Sequence, residues 1–257
     1  MSNILDKIYV ILVSPDESSN IGSICRAMKN MGLSHLRIVN PKVYDENKIS
    51  YISVHAFDIY EKREEFSSLK EALSDISFAS AATRRTGKRR KYTSFSPEET
   101  ADFIIEKDYK KSAMVFGNEK HGLKDEELKE CTISTVIPSS PLFPSLNLSH
   151  AVQIMAYVLY SRLPDIEKQE GMPIGDIDPN IAEAEKRASL SELNSLSEDI
   201  TSSLRKLGFF KMTDDSDLKI FLRDIFSRAG VNGREMKKLK KLFDKIAGIS
   251  ADNRDKE

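Results

Sequence analysis

Six consecutive apolar residues, Ile8 to Val13 ("IYVILV"), constrain the fold of this chain more than any other stretch. A strand with one wet face alternates apolar and polar side chains, whereas a strand covered on both faces of a parallel sheet is apolar throughout. Four more short runs follow it: "LRIV" at 36–39, "ISFASAA" at 76–82, "AMVFG" at 113–117 and "STVIP" at 134–138. Helical patterns separate them at 20–31, 53–60, 97–106 and 124–129, and a longer one occupies 147–162. Asn20 stands where an N-cap would open the first helix, and Gly32 where a glycine would close it. Strand and helix in alternation specify an α/β domain around a parallel sheet, expected over 1–163.

Beyond Pro164 the composition changes. "PDIEKQEGMPIGDIDPNIAEAEKR" is acidic, with three prolines and two glycines, and predicts an exposed linker over 164–190. Leu193, Leu196, Ile200, Leu204 and Leu207 then recur at spacings of three and four, and Gly208 ends that pattern. Leu218, Phe221, Leu222, Ile225 and Phe226 mark a second helix closed by Gly230, and Met236, Leu239, Leu242, Phe243 and Ile246 a third. The expectation is a small all-helical domain of three helices over 191–249.

Several function classes lose support. There is no GxGxxG after a strand and no GxxxxGK[ST], so a dinucleotide fold of the usual kind and a P-loop are not indicated. His35, His55, His121 and His150 show no metal-ligand spacing, and Cys25 and Cys131 have no paired spacing, so no metal is expected. The apolar run at the N-terminus is too short for a signal peptide or membrane span, which suits the cytoplasm. A net charge of −1 argues against a globally basic protein, but the charge is unevenly distributed. "RRTGKRRK" at 84–91 has six basic side chains in eight positions, and Lys237, Lys238, Lys240 and Lys241 cluster with Arg234. Such patches suit phosphate backbones, the bland alternative being solvated surface. The candidates for phosphate contact are Arg85, Lys88, Arg89, Arg90, Lys91, Lys237, Lys238 and Lys241.

Three polar interruptions remain, each at the carboxyl end of an expected strand, where open α/β sheets place ligands. In "SPDESSNIGSICRAM", Asn20 and Arg26 lie almost two helical turns apart, near one face. In "FGNEKHGL", Gly117 and Gly122 flank Glu119 and leave room against bare backbone. "IPSSPLFPSLNLSHAVQIMAY" sets a proline- and serine-rich loop directly against a helix with almost no charge.

In order and spacing, "NIGSICRAM", "VFGNEKHGL" and this last stretch resemble the three motifs of the SpoU branch of the SPOUT methyltransferases, over about 1–162. The whole chain, helical tail included, looks like the TrmJ group within that branch. The resemblance implies an enzyme that methylates RNA ribose 2′-hydroxyls with S-adenosylmethionine, at position 32 of the tRNA anticodon loop for the TrmJ group. It further implies a deep trefoil knot, and a homodimer in which Ser149, Ala151 and Ala156 allow close approach. The cofactor pocket would take Ala82, Thr83, Arg84, Gly117, Ile137, Ser145, Leu146 and Asn147, and Asn20, Arg26, Glu119 and Ser145 would surround the reacting ribose. Pro144 departs from the usual small or polar residue there, while Ser145 and Asn147 are kept. The resemblance implies Arg26 as the base; a guanidinium resists deprotonation, so the alternative is that Arg26 holds the adjacent phosphate and stabilises the developing alkoxide, with proton loss late or assisted by a neighbouring group. The motifs do not encode the RNA: ribosomal RNA is the alternative substrate. A catalytically silent RNA-binding module is the alternative from another class.

Overall fold

The computed structural model describes residues 4–84, 94–163, 187–209 and 216–254, the last six of these as backbone only. The chain divides into two compact units, Met1–Met172 and Pro173–Glu257. Arg85, Lys88, Arg89, Arg90 and Lys91, and the expected linker from 164 to 186, lie outside the described residues.

The first unit is built on seven strands: β1 (Ile8–Val13), β2 (His35–Val39), β3 (Glu64–Phe66), β4 (Phe78–Ala82), β5 (Ser94–Phe95), β6 (Ser112–Phe116) and β7 (Ile133–Thr135). They form one parallel sheet in the order β3-β2-β1-β6-β4-β7-β5. The five apolar runs supply its interior, and all six residues of β1 are buried. The two strands not expected from sequence are both edges, three and two residues long.

Its helices are α1 (Ser18–Asn30), α2 (Glu46–Ser53), α3 (Phe57–Glu61), α4 (Leu69–Ala72), α5 (Pro97–Lys107), α6 (Asp125–Glu130) and α7 (Leu148–Arg162). Ile21, Ile24 and Met28 of α1, Ile104 of α5, and Val152, Met155 and Leu159 of α7 share one core with Val10, Leu12, Met114 and Phe116 of the sheet. Each such side chain contributes about 1.5–3 kcal/mol on leaving water. Gly22 lets α1 lie close to α2, since a Cβ there would come within 2.9 Å of the Ile49 carbonyl oxygen.

Two local expectations need correction. Helix α1 opens at Ser18 with Glu17 in the cap position, so Asn20 is its third residue rather than its N-cap. The Asn20 side chain is engaged elsewhere, as described below. The expected helix at 53–60 is interrupted at Val54, whose φ of 57° breaks the helical path. A 3-10 turn, Val54–Ala56, precedes α3 there, while "ENKISYIS" just before it forms the unexpected α2.

The second unit comprises α8 (Leu190–Lys206), α9 (Ser216–Ala229) and α10 (Gly233–Arg254), with α8 packed on both partners. Leu193, Leu196 and Ile200 are buried, as their spacing predicts. Packing begins before the first helix: the Ala188 amide donates to the Val231 carbonyl at 2.9 Å, and Ala188 and Leu190 are buried. Met236 and Leu239 of α10 pack on this core, whereas Leu242 and Ile246 are exposed. On that stretch α8 offers polar partners instead, Asp199 to Lys240 at 2.6 Å and Ser203 to Asp244 at 3.2 Å.

Candidate active site

Register brings the motif loops together. Leu12 pairs with Ile38 on one side and Phe116 on the other, so β1, β2 and β6 end at one level. Beyond β6, Gly117 begins a turn that folds back on itself. A Cβ on Gly117 would come within 2.2 Å of the Gly122 carbonyl carbon and 2.3 Å of the Leu123 nitrogen, so only glycine permits this fold. Asn118 braces the turn. Its Oδ1 accepts from the Lys120 and His121 amides at 2.9 and 3.3 Å, and its Nδ2 donates to the Ser14 carbonyl at 2.8 Å, just past β1.

The turn carries Glu119 to the start of α1. Its Oε2 accepts from the Asp16 amide at 2.8 Å, and its Oε1 from the Glu17 amide at 3.2 Å and Asn20 Nδ2 at 2.9 Å. A helix start presents unsatisfied N–H groups and partial positive charge, so a carboxylate is favoured there. Asn20 Oδ1 in turn accepts from Asn147 Nδ2 at 3.1 Å. Asn147 caps α7: its Oδ1 accepts from the Ser149 amide at 2.8 Å and from Ser149 Oγ at 2.7 Å. One chain of hydrogen bonds therefore runs Glu119, Asn20, Asn147, Ser149 and joins all three motifs. Bonds to a charged acceptor contribute about 1.5–3 kcal/mol each.

Beside this clamp lies a cavity. Ala82, Thr83 and Arg84 from the end of β4 form one part of its wall, residues 116–123 a second, and Ile137, Pro144, Ser145 and Leu146 a third, with Leu148 and Ala151 of α7. Seven of the eight expected cofactor residues are thus on one wall, together with Glu119. Asn147 is not on it, being spent on the clamp and the α7 cap. Asn20 is also off the wall and acts through Glu119 and Asn147. Arg26 is on neither: it is exposed on α1, and its side chain makes no hydrogen bond or ion pair among the described residues. Lys237, Lys238 and Lys241 are exposed on α10 in the second unit.

The wall suits an adenosine-like group. Ile137, Leu146 and Leu148 supply apolar surface, and the amides of Ile137, Ser145 and Leu146 make no hydrogen bond among the described residues. Unpaired amides are the donors a heteroaromatic ring can use. Behind the wall a buried hydroxyl chain, Ser80 to Thr135 and Thr135 to Thr100 at 2.7 Å, ties β4, β7 and α5 together. Sequence reading missed the rim: Asp16 pairs with Lys42 and lies 3.7 Å from Lys120. The hydrogen bond from Lys42, then one from Asn118, pulls the Asp16 carboxyl down to about 2. No local signal announces a pair 26 residues apart. His121, set aside for want of metal spacing, is on the cavity wall, and its place inside the second motif was the available signal.

Fold and site together define an α/β domain whose ligand cavity lies beyond the carboxyl ends of a parallel sheet. The sequence profile of the SpoU rRNA methylase family matches residues 7–157, and the chain belongs to that family. It is similar to the tRNA (cytidine-2′-O-)-methyltransferase TrmJ of Methanocaldococcus jannaschii, with 38% identity over 157 residues, 60% of this chain and 68% of that protein. With the tRNA (cytidine/uridine-2′-O-)-methyltransferase TrmJ of Pectobacterium atrosepticum it shares 29% identity over 244 residues, 94% of this chain and 97% of that one. The crystal structure of TrmJ from Z. mobilis ZM4 superposes with a TM-score of 0.69 at 26% identity, covering 93% of this chain and 98% of that one. That likeness takes in the helical unit as well as the sheet.

Proposed function

We propose that this chain is an S-adenosylmethionine-dependent tRNA methyltransferase of the cytoplasm. It acts on the ribose 2′-hydroxyl of cytidine or uridine at position 32 of the anticodon loop. The observation that carries the reading is the clamp from Glu119 through Asn20 to Asn147, which gathers three sequence-distant loops at one cavity. The similarity to TrmJ proteins over both units selects tRNA as the substrate.

S-adenosylmethionine, when bound, supplies a methyl group made electrophilic by a sulfonium sulfur. Ala82, Thr83, Arg84, Gly117, Ile137, Ser145 and Leu146 would hold it, the unpaired amides serving its ring and the apolar side chains excluding water. Positioning dominates a displacement of this kind, worth about 7–11 kcal/mol when two reactants are held in line. The clamp provides it by fixing the start of α1 relative to the start of α7. Ser145 contacts the 2′-hydroxyl. Arg26, exposed and unpaired, engages the neighbouring phosphate and the charge that develops on oxygen. Lys237, Lys238 and Lys241, with Arg85, Lys88, Arg89, Arg90 and Lys91, contact tRNA phosphates. Tyr157 and Tyr160 are exposed on α7, which has a single charged residue, Arg162, and support a homodimer across that helix; a trefoil knot through the loop before α7 completes the proposed architecture.

Incubation with S-adenosylmethionine and bulk tRNA, followed by nuclease digestion and mass spectrometry, tests the assignment. One 2′-O-methylated nucleotide at position 32 is expected. Methylation of a base, or transfer confined to ribosomal RNA, would overturn it.

A further inference from the structure

The loop between β7 and α7 is rich in serine and proline, yet it exposes two large apolar side chains. Within "SSPLFPS" (139–145), Leu142 is 94% and Phe143 79% exposed. Each forgoes about 1.5–3 kcal/mol that burial would contribute. Neither is loosely held. Ser139 Oγ donates to the Pro144 carbonyl at 3.1 Å. The Leu142 amide donates to Ser140 Oγ at 3.3 Å, and the Phe143 amide to the Ser140 carbonyl at 3.2 Å. Pro141 and Pro144 bracket the pair, and a proline ring fixes its own φ. The tip of this loop is therefore preorganised while its aromatic ring lies in water.

The surroundings indicate what covers that ring. Pro144, Ser145 and Leu146, the three residues that follow it, are on the cavity wall. Ser145 is the group proposed to contact the 2′-hydroxyl, and two residues of chain span at most about 7 Å. A nucleobase is attached to the ribose carbon next to the one that bears the 2′-oxygen. A base whose ribose meets Ser145 thus comes within reach of Phe143. The cofactor's ring has its own apolar surface in Ile137, Leu146 and Leu148. The same wall carries Arg84, Lys120 and His121. Basic groups beside an exposed aromatic ring are the combination that holds single-stranded RNA, whose loop bases splay out and stack on such rings.

On the function proposed above, we propose that Phe143 stacks on the nucleobase of the nucleotide being methylated and so holds its 2′-hydroxyl at Ser145. Every base has a π-face, so the contact does not choose between cytosine and uracil. This suits a site that takes either pyrimidine. Phe143 is a positioning residue for the substrate and has no part in the bond changes.

A double-mutant cycle between protein and RNA tests the contact. Wild type, Phe143→Ala and Phe143→Trp are assayed for kcat/KM on two tRNAs, one with cytosine at nucleotide 32 and one with an abasic ribose there. Loss of an aromatic stack costs about five- to 150-fold. Phe143→Ala should lose that factor on the intact tRNA, and Phe143→Trp should stay within about threefold of wild type. On the abasic tRNA the wild type should fall by the same factor, and Phe143→Ala should match it within about twofold. Affinity for S-adenosylmethionine and melting temperatures should stay close to wild type, because the ring is exposed. Equal losses on the two tRNAs would overturn the assignment, as would a Phe143→Ala variant within twofold of wild type on the intact one. So would a loss that follows weakened cofactor binding, or a variant that light scattering shows to have dissociated, which would give the ring to a second copy of this chain. A wild type with no detectable transfer to the abasic tRNA would also overturn it, since a single stack could not account for that loss. A wild-type protein that methylates no ribose in any RNA would instead overturn the functional reading, and this contact with it.

Discussion

Arg37 and Glu119 both organise an edge of the same sheet, Arg37 toward the amino ends of its strands and Glu119 beyond the carboxyl ends. Arg37 is buried and closed in. It donates to both Asp75 oxygens at 2.6 and 3.0 Å and to the Ala72 carbonyl at 2.7 Å, and lies 3.2 Å from Glu64 and 4.3 Å from the Tyr9 ring centre. Asp75 is also bonded by Lys111. Burial would raise the Asp75 carboxyl, but Arg37 and Lys111 outweigh it and hold it well below the usual carboxylate range. Around Glu119 the bonds run to the Asp16 and Glu17 amides and the Asn20 side chain, Lys120 makes one long pair with Asp16, and Arg84 and His121 are left exposed beside unpaired amides. Matched charge makes one edge a fastening; unmatched groups leave the other open to a ligand.

Removing the exposed guanidinium proposed to serve the open edge from α1 should produce the largest effect. Arg26→Ala is expected to slow methyl transfer by about a hundredfold or more, the usual cost of removing a group that stabilises developing charge. Cofactor affinity, measured by calorimetry, should remain within about twofold. Loss of affinity in proportion to activity would place Arg26 at the cofactor instead.

Breaking the closed edge should leave catalysis alone. Asp75→Asn leaves the buried guanidinium with only Glu64 and the Ala72 carbonyl, and a discount for that remaining pair and for the 42% exposure of Asp75 puts the destabilisation at about 1–2 kcal/mol in urea unfolding. The turnover rate below the transition should be unchanged. The sign with pH follows from the lowered carboxyl: its contribution is complete above about pH 5, shrinks as pH falls through the ordinary carboxylate range and is gone only below the lowered native value. Wild type and variant should therefore converge in acid. A gap that does not narrow at all as pH falls from about 5 to about 2 would show that the aspartate acts by packing alone.

The smallest effect belongs to the helical unit. Replacing Lys237, Lys238 and Lys241 with glutamine should weaken tRNA binding and flatten its salt dependence, by somewhat under one unit for each phosphate no longer neutralised. An unchanged slope would remove α10 from the RNA interface.

What the sequence revealed follows from how far each signal reaches along the chain. The apolar runs of β1, β2, β4, β6 and β7 announce a buried parallel sheet, because a strand covered on both faces needs no partner to declare its character. Edge strands β3 and β5 are short and half exposed, so "EEF" and "SF" carry no such mark. The cavity was legible through motif resemblance, which collected Ala82, Thr83, Arg84, Gly117, Ile137, Ser145 and Leu146. The clamp was not. Asn20 reads locally as a cap, and only a carboxylate 99 residues away turns it into a crossbrace. Asn147 reads as a ligand contact, yet it caps α7 and donates to Asn20 across 127 residues. Side chains whose partners lie that far away declare their roles only in three dimensions.

On the proposed function, the open edge receives a ribose 2′-hydroxyl at nucleotide 32. The most direct test of this compares tRNA transcripts that differ by a single oxygen, with ribose or 2′-deoxyribose at nucleotide 32. With labelled S-adenosylmethionine, the ribose form should take up one methyl group per molecule and the deoxy form none, while both compete equally for binding. Equal labelling of the two transcripts would contradict the account.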